Sequence, residues 1–183
     1  MNTTRERALD AAVELVGTRG IRALTHARVD AQAGLPRGST SNHFRTRAAL
    51  LTGVSKWIAE QETRDLGAVL AQPFDDLDGF VDIFSEGIEL LTGPHAVRTR
   101  ARYALFLEAS SDPDLFAPMR AQREGIAAWT RSLLVALGAQ HPDAALHAFM
   151  AFGDGLVLHR LSVDPDAPVR ESVAVALHGC LSA

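Results

Sequence analysis

A short run of small polar side chains lies within residues 34–44, GLPRGSTSNHF. Four consecutive residues in it carry hydroxyl or amide groups: Ser39, Thr40, Ser41 and Asn42. Groups of this size can approach the edges of DNA bases and hydrogen-bond to them, whereas bulky apolar side chains would waste those edges. Arg37 beside them can make a bidentate contact to guanine or, equally, a contact to phosphate. The alternative is a capped turn between helices whose arginines are only solvated charge.

The charge distribution favours an anionic partner for this part of the chain. Residues 1–56 hold nine Arg or Lys against four Asp or Glu, whereas the remainder holds nine basic and eighteen acidic residues. A basic head on an acidic body suggests that the head meets a polyanion. A chance fluctuation in solvated surface charge would give the same pattern, so charge alone leaves both interpretations open.

Cysteine content and hydropathy limit the cellular compartments in which the protein is expected. Cys180 is the only cysteine, so neither an internal disulfide nor a cysteine-based metal site can form, and a reducing compartment fits best. The N-terminus lacks a basic stub followed by an apolar stretch, and no run of about 18 apolar residues occurs. We therefore expect a cytoplasmic protein that is neither secreted nor embedded in a membrane.

Helix signals place the polar run in the third of four N-terminal helices. A capping box of Thr3 and Glu6 begins the first helix, and Gly34 supplies the left-handed turn that ends the second. The four helices are expected at residues 4–19, from Thr25 through Ala33, from Pro36 to about His43, and from Thr46 to Pro73. Two short helices joined by a turn that contains glycine, packed on a first helix, form a helix-turn-helix. Leu35 and Phe44 would face the core and hold the third helix at its angle.

The rest of the chain also reads as helical, because proline-containing pairs punctuate it and no useful β-alternation appears. Five further helices are expected at residues 76–92, 95–109, 113–138, 142–161 and 168–181. The predicted fold class is all-α, with about nine helices. We expect a helix-turn-helix DNA-binding domain at residues 1–48 and a helical ligand-binding and dimerisation domain at residues 49–183.

Residues 25–51, THARVDAQAGLPRGSTSNHFRTRAALL, resemble the TetR family of transcriptional regulators. The shared pattern is a Thr-initiated helix, Ala-Gly-aliphatic, a short Gly-Ser/Thr helix that ends in His-Phe, and a basic residue before Leu-Leu. The resemblance implies a ligand-responsive regulator, most often a repressor, that binds a palindromic double-stranded DNA operator as a homodimer. A small, largely apolar effector would release it by favouring a conformation whose two heads are wrongly spaced for the operator.

The resemblance also implies roles for single residues. His26, His43 and Arg47 would touch phosphates. Five residues would sample bases: Arg37, Ser39, Thr40, Ser41 and Asn42. The family usually has an aliphatic residue at position 40, which would leave Thr40 partly buried. The chain departs from the family pattern at Ser41, where an aromatic is frequent, and at Asp30, where a small residue is frequent, and the operator sequence stays open.

Apolar stripes on the last two helices indicate a subunit contact. Gly153 and Gly155 within a helix each cost about 1 kcal/mol relative to alanine, which the close approach of another backbone would offset. The expected dimer residues are Phe152, Leu156, Val169, Val173 and Leu177. Ordinary core packing is the alternative for the same stripes.

Large side chains between the head and the dimer face are expected to line an apolar cavity for the effector. The expected residues are Trp57, Phe84, Tyr103, Phe106, Trp129, Phe149 and Met150. Tyr103 would provide a polar group. Aromatic residues at helical spacing are more often simply core, so this alternative stays open for each of them.

Three other functions stay open as alternatives. An enzyme is disfavoured because no HExxH, GxSxG or phosphate-loop pattern appears and five histidines are scattered, namely His95, His141, His147, His159 and His178. A metal sensor and a dimeric ligand-binding module that does not bind DNA specifically are the other two, and Ser41 and Asp30 slightly favour the last. We expect no catalytic residue, no metal and no cofactor.

Overall fold

The computed structural model describes residues 3–108 and 113–182, which form nine α-helices, one 3-10 turn at Ile21–Ala23 and no strand. The helices are α1 (Thr4–Arg19), α2 (His26–Ala33), α3 (Ser39–His43), α4 (Arg47–Leu70), α5 (Leu77–Thr92), α6 (Ala96–Glu108), α7 (Pro113–Ala136), α8 (Pro142–Ser162) and α9 (Val169–Ser182). The all-α prediction is confirmed, although the predicted helix end at residue 109 lies outside the described residues. No helix in the described ranges is long and apolar enough to cross a bilayer.

The chain divides into two compact units. The first comprises Met1–Thr63 and Val97–Ala121, and the second comprises Arg64–Ala96 and Gln122–Ala183. The divisions fall inside α4, directly after the first residue of α6, and inside α7, so α4 and α7 each contribute several residues to both units.

The first unit is built around α1, whose buried face packs on α2, α3 and the 3-10 turn. Leu9, Leu15 and Val16 are buried on that face. The predicted capping box is present, because the Glu6 amide donates to the Thr3 hydroxyl at 3.2 Å and the Thr3 amide donates to the Glu6 carboxylate at 2.7 Å. Helix α1 is thus fixed at its start and along its inner face.

Helix α1 also meets the backbone of α6 closely within the same unit. A Cβ atom at Gly17 would lie 2.1 Å from the carbonyl oxygen of Val97. No side chain fits in that distance, so glycine is required at position 17 for the two helices to approach.

In the second unit, α9 packs against α5 and α8. Phe80, Phe149 and Leu177 have no exposed surface there. Arg160 links α8 to α5, because its Nε donates to the Thr92 hydroxyl at 3.0 Å. The unit is therefore a helical core of apolar side chains with polar links at its edge.

The third helix begins later than predicted. Residues 36–38 form a turn, and α3 starts at Ser39 instead of Pro36. The reason is Gly38, whose φ of +90° is left-handed and cannot belong to a right-handed helix. The polar run is therefore divided into a turn that carries Arg37 and a short helix that carries the hydroxyl and amide groups.

Candidate functional site

Local signals build a helix-turn-helix from α2 and α3. The Thr25 hydroxyl accepts the Arg28 amide at 3.3 Å and begins α2. Gly34 ends α2 in the left-handed conformation, with φ of 61°, and the Leu35 amide donates back to the Asp30 carbonyl at 2.8 Å. The predicted caps at both ends of α2 are thus present.

The side chain of Asp30 joins α2 to the start of α3. It is 3% exposed. Its carboxylate accepts the Gly38 amide and the Thr40 amide, each at 2.8 Å, and the Thr40 hydroxyl at 2.5 Å. The first amides of a helix have no partner inside it, and here a residue of the preceding helix provides one. Asp30 therefore acts as the cap that α3 lacks in its own sequence.

These hydrogen bonds also keep Asp30 ionised inside the unit. Burial raises the pKa of the Asp30 carboxyl, but the bonds from Thr40 and Gly38, helped by the nearby His26, lower it more. The pKa therefore lies below its ordinary value of 3.8. At neutral pH a negative charge is held next to the amides that open α3.

The outer side of α3 presents polar groups to solvent. Ser41, Asn42 and His43 are exposed, as is Arg37 in the turn before the helix. Ser39 is half-buried, and its hydroxyl donates to the Pro36 carbonyl at 2.6 Å. Four of the predicted base-contacting residues are therefore wholly or partly accessible in one short stretch.

Thr40 differs from its neighbours. Its side chain is completely buried, and its hydroxyl proton is donated to Asp30. A group in this position has no surface to offer to a base, which corrects the expectation that Thr40 samples bases directly. It orients α3 from the inside instead.

Two of the predicted phosphate contacts also have partners within the chain. Nε2 of His26 lies 2.6 Å from the Phe44 carbonyl oxygen, and Nη2 of Arg47 donates to the Ile21 carbonyl at 3.1 Å. His26 is half-buried and Arg47 is exposed. Both side chains tie loops of the head together while retaining surface around α3.

Sequence reasoning missed two contributors to the geometry of the head. Arg7 on α1 donates from Nη2 to the Ala33 carbonyl at 2.8 Å, which anchors the end of α2. The second contributor is Gly53 on α4. A Cβ at this position would lie 2.5 Å from the ring of Phe44, which is buried as expected, so glycine lets the ring pack against α4. The arginine gave no signal, because its partner is 26 residues away and is a backbone carbonyl.

The predicted effector residues are distributed over the two units. Trp57, Tyr103 and Phe106 belong to the first unit, where all three are half-buried. Nε1 of Trp57 donates to the Asp10 carboxylate at 2.8 Å, so this residue links α4 to α1. Tyr103 and Phe106 meet edge to face with ring centroids 5.9 Å apart.

The other four predicted effector residues lie in the second unit. Phe149 has no exposed surface, and its ring centroid lies 4.6 Å from that of Phe84. Trp129 is half-buried, with its ring centroid 5.7 Å from that of Phe80. Met150 lines a shallow cleft of about 370 Å³ between α7 and α8. The structure thus brings three of these residues into one aromatic cluster and places Met150 at a separate cleft.

The predicted dimer residues fall into two groups. Leu156, Val169, Val173 and Leu177 are buried within a single chain, at 8% exposure or less, because α9 packs on α5 and α8. These four therefore hold the helices of one protomer together and expose almost no surface to a partner. Phe152 is half-buried and lines a groove between α8 and α9.

That groove is apolar and made largely of small residues. Its volume is about 470 Å³, and it is lined by His141, Ala144, Ala145, Ala148, Phe152, Ala176, Gly179 and Cys180. Burial raises the pKa of the Cys180 thiol.

The two glycines within α8 differ in their surroundings. A Cβ at Gly155 on the exposed side of α8 would meet nothing within 4 Å, whereas one at Gly153 would lie 3.4 Å from the Phe84 ring. Close packing thus accounts for Gly153 within the chain.

No group of three or more histidine, cysteine, aspartate or glutamate side chains that could hold a metal ion occurs among the described residues. A helix-turn-helix with a capped and outward-facing α3, on an all-α chain, is the arrangement of a DNA-binding regulator. Family models match both parts of the chain. Residues 8–54 match the bacterial regulatory proteins of the tetR family, and residues 75–183 match the tetracyclin repressor-like C-terminal domain. The chain belongs to the TetR family of transcriptional regulators, and the resemblance noted in the sequence is confirmed.

Solved structures share the fold over almost the whole chain. A transcriptional regulator from Rhodococcus sp. Rha1 has a TM-score of 0.85 at 17% identity, covering 98% of this chain and 97% of that one. The multidrug binding protein EbrR, complexed with proflavin, has a TM-score of 0.64 at 30% identity, covering 97% and 99%. A TetR-family member from Streptomyces coelicolor A3 has a TM-score of 0.71 at 28% identity, covering 98% and 99%. No curated protein matches the chain.

Proposed function

We propose that the chain is a repressor that binds a palindromic DNA operator as a homodimer and is released by a small effector. The observation that carries the proposal is the internal cap on α3. Asp30 fixes this helix from inside while Ser41 and Asn42 stay exposed outside. Residues 1–48 act as the DNA-binding domain, and residues 49–183 act as the effector-binding and dimerisation domain.

Base reading is assigned to the exposed polar groups of the turn and of α3. Arg37 donates to guanine, and Ser41 and Asn42 bond to neighbouring base edges. The Ser39 hydroxyl already donates a hydrogen bond to the Pro36 carbonyl, so it can contact a base only by accepting through its oxygen.

Phosphate contacts hold the head in register on the duplex. Arg47 keeps further N–H groups beside the one bonded to Ile21, and His43 is exposed at the end of α3. His26 can use only its remaining ring nitrogen, because Nε2 is bonded to Phe44. These three residues position α3 and carry no base preference.

Dimerisation is assigned to the outer side of α8 and α9, where Phe152 is the anchor. The small side chains of Ala148, Ala176 and Gly179 beside it allow helices of a second copy to approach closely. Val173 and Leu177 support this surface from behind. A dimer that binds a palindromic operator needs its two α3 helices about 34–36 Å apart, the spacing of successive major grooves.

The effector is a small and largely apolar molecule. EbrR, which shares 28–30% identity with this chain, has been solved in complex with ethidium, proflavin and imidazole. Half-buried rings of the kind that such ligands stack on occur within each unit: Trp57, Tyr103 and Phe106 in the first, and Phe84 and Trp129 in the second. The effector binds more tightly to a conformation whose two heads are wrongly spaced for the operator. The ratio of its affinities for this conformation and for the DNA-binding conformation determines how far DNA binding is weakened.

The proposal is tested by measuring, with fluorescence anisotropy, how tightly the protein binds the DNA upstream of its own gene. We expect sequence-selective and salt-sensitive binding, because exposed arginines release counterions from the phosphates. Arg37→Ala weakens selective binding by about 1–3 kcal/mol. Arg131→Ala is the matched control, because Arg131 is an exposed arginine of α7 that pairs with Asp143 and should leave binding unchanged. Equal binding to unrelated DNA of the same length would contradict the proposal.

A further inference from the structure

The hydrogen bond between His26 and Phe44 limits how the His26 ring can carry its protons. Nε2 of His26 lies 2.6 Å from the Phe44 carbonyl oxygen. A carbonyl oxygen can only accept, so Nε2 must carry a hydrogen as long as this bond is made. Nδ1 is then a bare lone pair in the neutral ring and an N–H donor in the imidazolium. The ring is half-buried, so it keeps accessible surface.

A buried negative charge lies on the same helix, one turn beyond His26. Asp30 is 3% exposed. Burial raises the pKa of the Asp30 carboxyl, whereas the bonds from Thr40 and Gly38 and the charge of His26 lower it below its ordinary value. The attraction between two charges is mutual, so the ionised Asp30 favours the imidazolium form of His26.

Positive groups of the head oppose a further charge on this ring. The first residues of α2 lie at the positive end of its helix dipole. The cations and titratable groups on the neighbouring helices are Arg5 on α1, which lies 5.6 Å from the Phe44 ring centroid, His43 on α3, and Arg47 on α4, which bonds to the Ile21 carbonyl. DNA changes this balance, because its phosphates bring negative charge to the head.

We propose that each head takes up a proton at His26 when it binds DNA, so that operator binding depends on pH. The proposal rests on the proposed function, because it concerns the phosphate contact assigned to His26. The neutral ring would turn the lone pair of Nδ1 towards a phosphate oxygen, which repels it, whereas the imidazolium donates a charge-assisted hydrogen bond. Imidazole titrates between about pH 5 and 8, so a phosphate can change its charge near neutral pH.

Calorimetry on the full-length dimer counts the protons. The heat of binding to the upstream duplex is measured at pH 7 in two buffers with different ionisation enthalpies, PIPES and Tris. If phosphate favours the charged ring tenfold, we expect an uptake of about half a proton per head. Binding that takes up protons is stronger at low pH and weakens as pH rises, so the affinity should fall about sixfold per head between pH 6 and 8. Asp30 stays ionised throughout this range, since its pKa lies below 3.8.

Two variants remove the titration in different ways. His26→Gln can still donate to the Phe44 carbonyl but cannot ionise, so the proton uptake should disappear. His26→Arg supplies a permanent charge, so it should bind DNA without uptake and guards against a loss of binding in the glutamine variant. His147→Gln is the matched control, because Nδ1 of His147 also bonds to a backbone carbonyl, that of Asp143 at 2.7 Å, on a helix outside the head. This variant should keep the wild-type uptake.

The outcomes separate the role of His26 from the proposed regulator. No uptake by the wild type, an unchanged uptake in both His26 variants, or a loss of uptake in His43→Gln alone would overturn the proposal. The measurement is repeated on an unrelated duplex at low salt, because phosphate contacts do not depend on sequence. Equal binding to both duplexes with proton uptake would contradict only the regulator, and selective binding without uptake would contradict only the role of His26. Failure to bind either duplex would overturn both.

Discussion

The carboxylate of Asp30 accepts both the hydroxyl and the amide of Thr40, at 2.5 and 2.8 Å. Both residues are buried, and they lie on the two helices of the helix-turn-helix. The family pattern noted in the sequence has a small residue frequently at position 30 and an aliphatic residue usually at position 40. A polar pair therefore replaces an apolar contact here, and the two residues are expected to depend on each other.

Removal of the Asp30 side chain should weaken both the fold of the head and its binding to DNA. In Asp30→Ala, two amides and a hydroxyl lose their acceptor, which we expect to reduce the free energy of unfolding by about 2–4 kcal/mol. The double variant Asp30→Ala with Thr40→Leu restores an apolar contact and should recover part of that loss. Urea denaturation measures the effect, with the exposed Glu14→Ala as the control. Additive losses in the double variant would contradict the pairing.

The lowered pKa of Asp30 predicts a pH dependence. A carboxyl whose pKa is lower in the folded state stabilises the fold above its unfolded pKa and loses that effect as pH falls through the folded value. The stability difference between the wild type and Asp30→Asn should therefore be constant near neutral pH. It should shrink below pH 3.8, the ordinary value for this carboxyl. Urea denaturation from pH 7 downwards checks this, and a difference that grows on acidification would have the wrong sign.

The contact between Gly17 and Val97 predicts intolerance of any side chain on this face of α1. Gly17→Ala would place a methyl group 2.1 Å from a carbonyl oxygen, so we expect a loss of about 1–3 kcal/mol from overpacking. Gly67→Ala on α4 is the matched control, since a Cβ there meets nothing within 4 Å. In an exposed helix this second change should stabilise by about 0.5–1 kcal/mol. Thermal melts that rank the two variants in the opposite order would refute the close contact.

The groove between α8 and α9 predicts where a charge would separate the protomers. Ala148→Arg places a long cation on the exposed, apolar lining and should shift the sedimentation-equilibrium mass from dimer to monomer. Val163→Arg is the control, because Val163 is 71% exposed just beyond α8 and does not line the groove. A dimer that survives Ala148→Arg unchanged would place the subunit contact elsewhere.

The helices were predictable because their signals are local. Thr3, Thr25 and Thr46 each cap the helix that follows, and Gly34 ends α2, all within a few residues of the element concerned. The cap on α3 was not predictable in the same way. Asp30 lies eight and ten residues before its partners, and its role depends on the turn that folds α3 back onto α2.

The apolar stripe of α9 shows a second limit of sequence reasoning. Periodicity indicated that Val169, Val173 and Leu177 are buried, but it does not specify whether helices of the same chain or of a second copy bury them. Helices α5 and α8 of the same chain cover them. Phe152 and the small residues around it gave a weaker signal, because alanine and glycine contribute little to an apolar pattern.

The presentation of α3 to base edges is tested most directly by the base preference of Asn42→Ala. Affinities of the wild type and the variant are measured for the upstream site and for every single-base substitution in one half-site. We predict that the variant loses about 1–3 kcal/mol of discrimination at one or two adjacent base pairs while the salt dependence stays the same. An unchanged base preference, or a loss of affinity that is uniform across all sequences, would contradict the assignment of α3 as the helix that reads DNA.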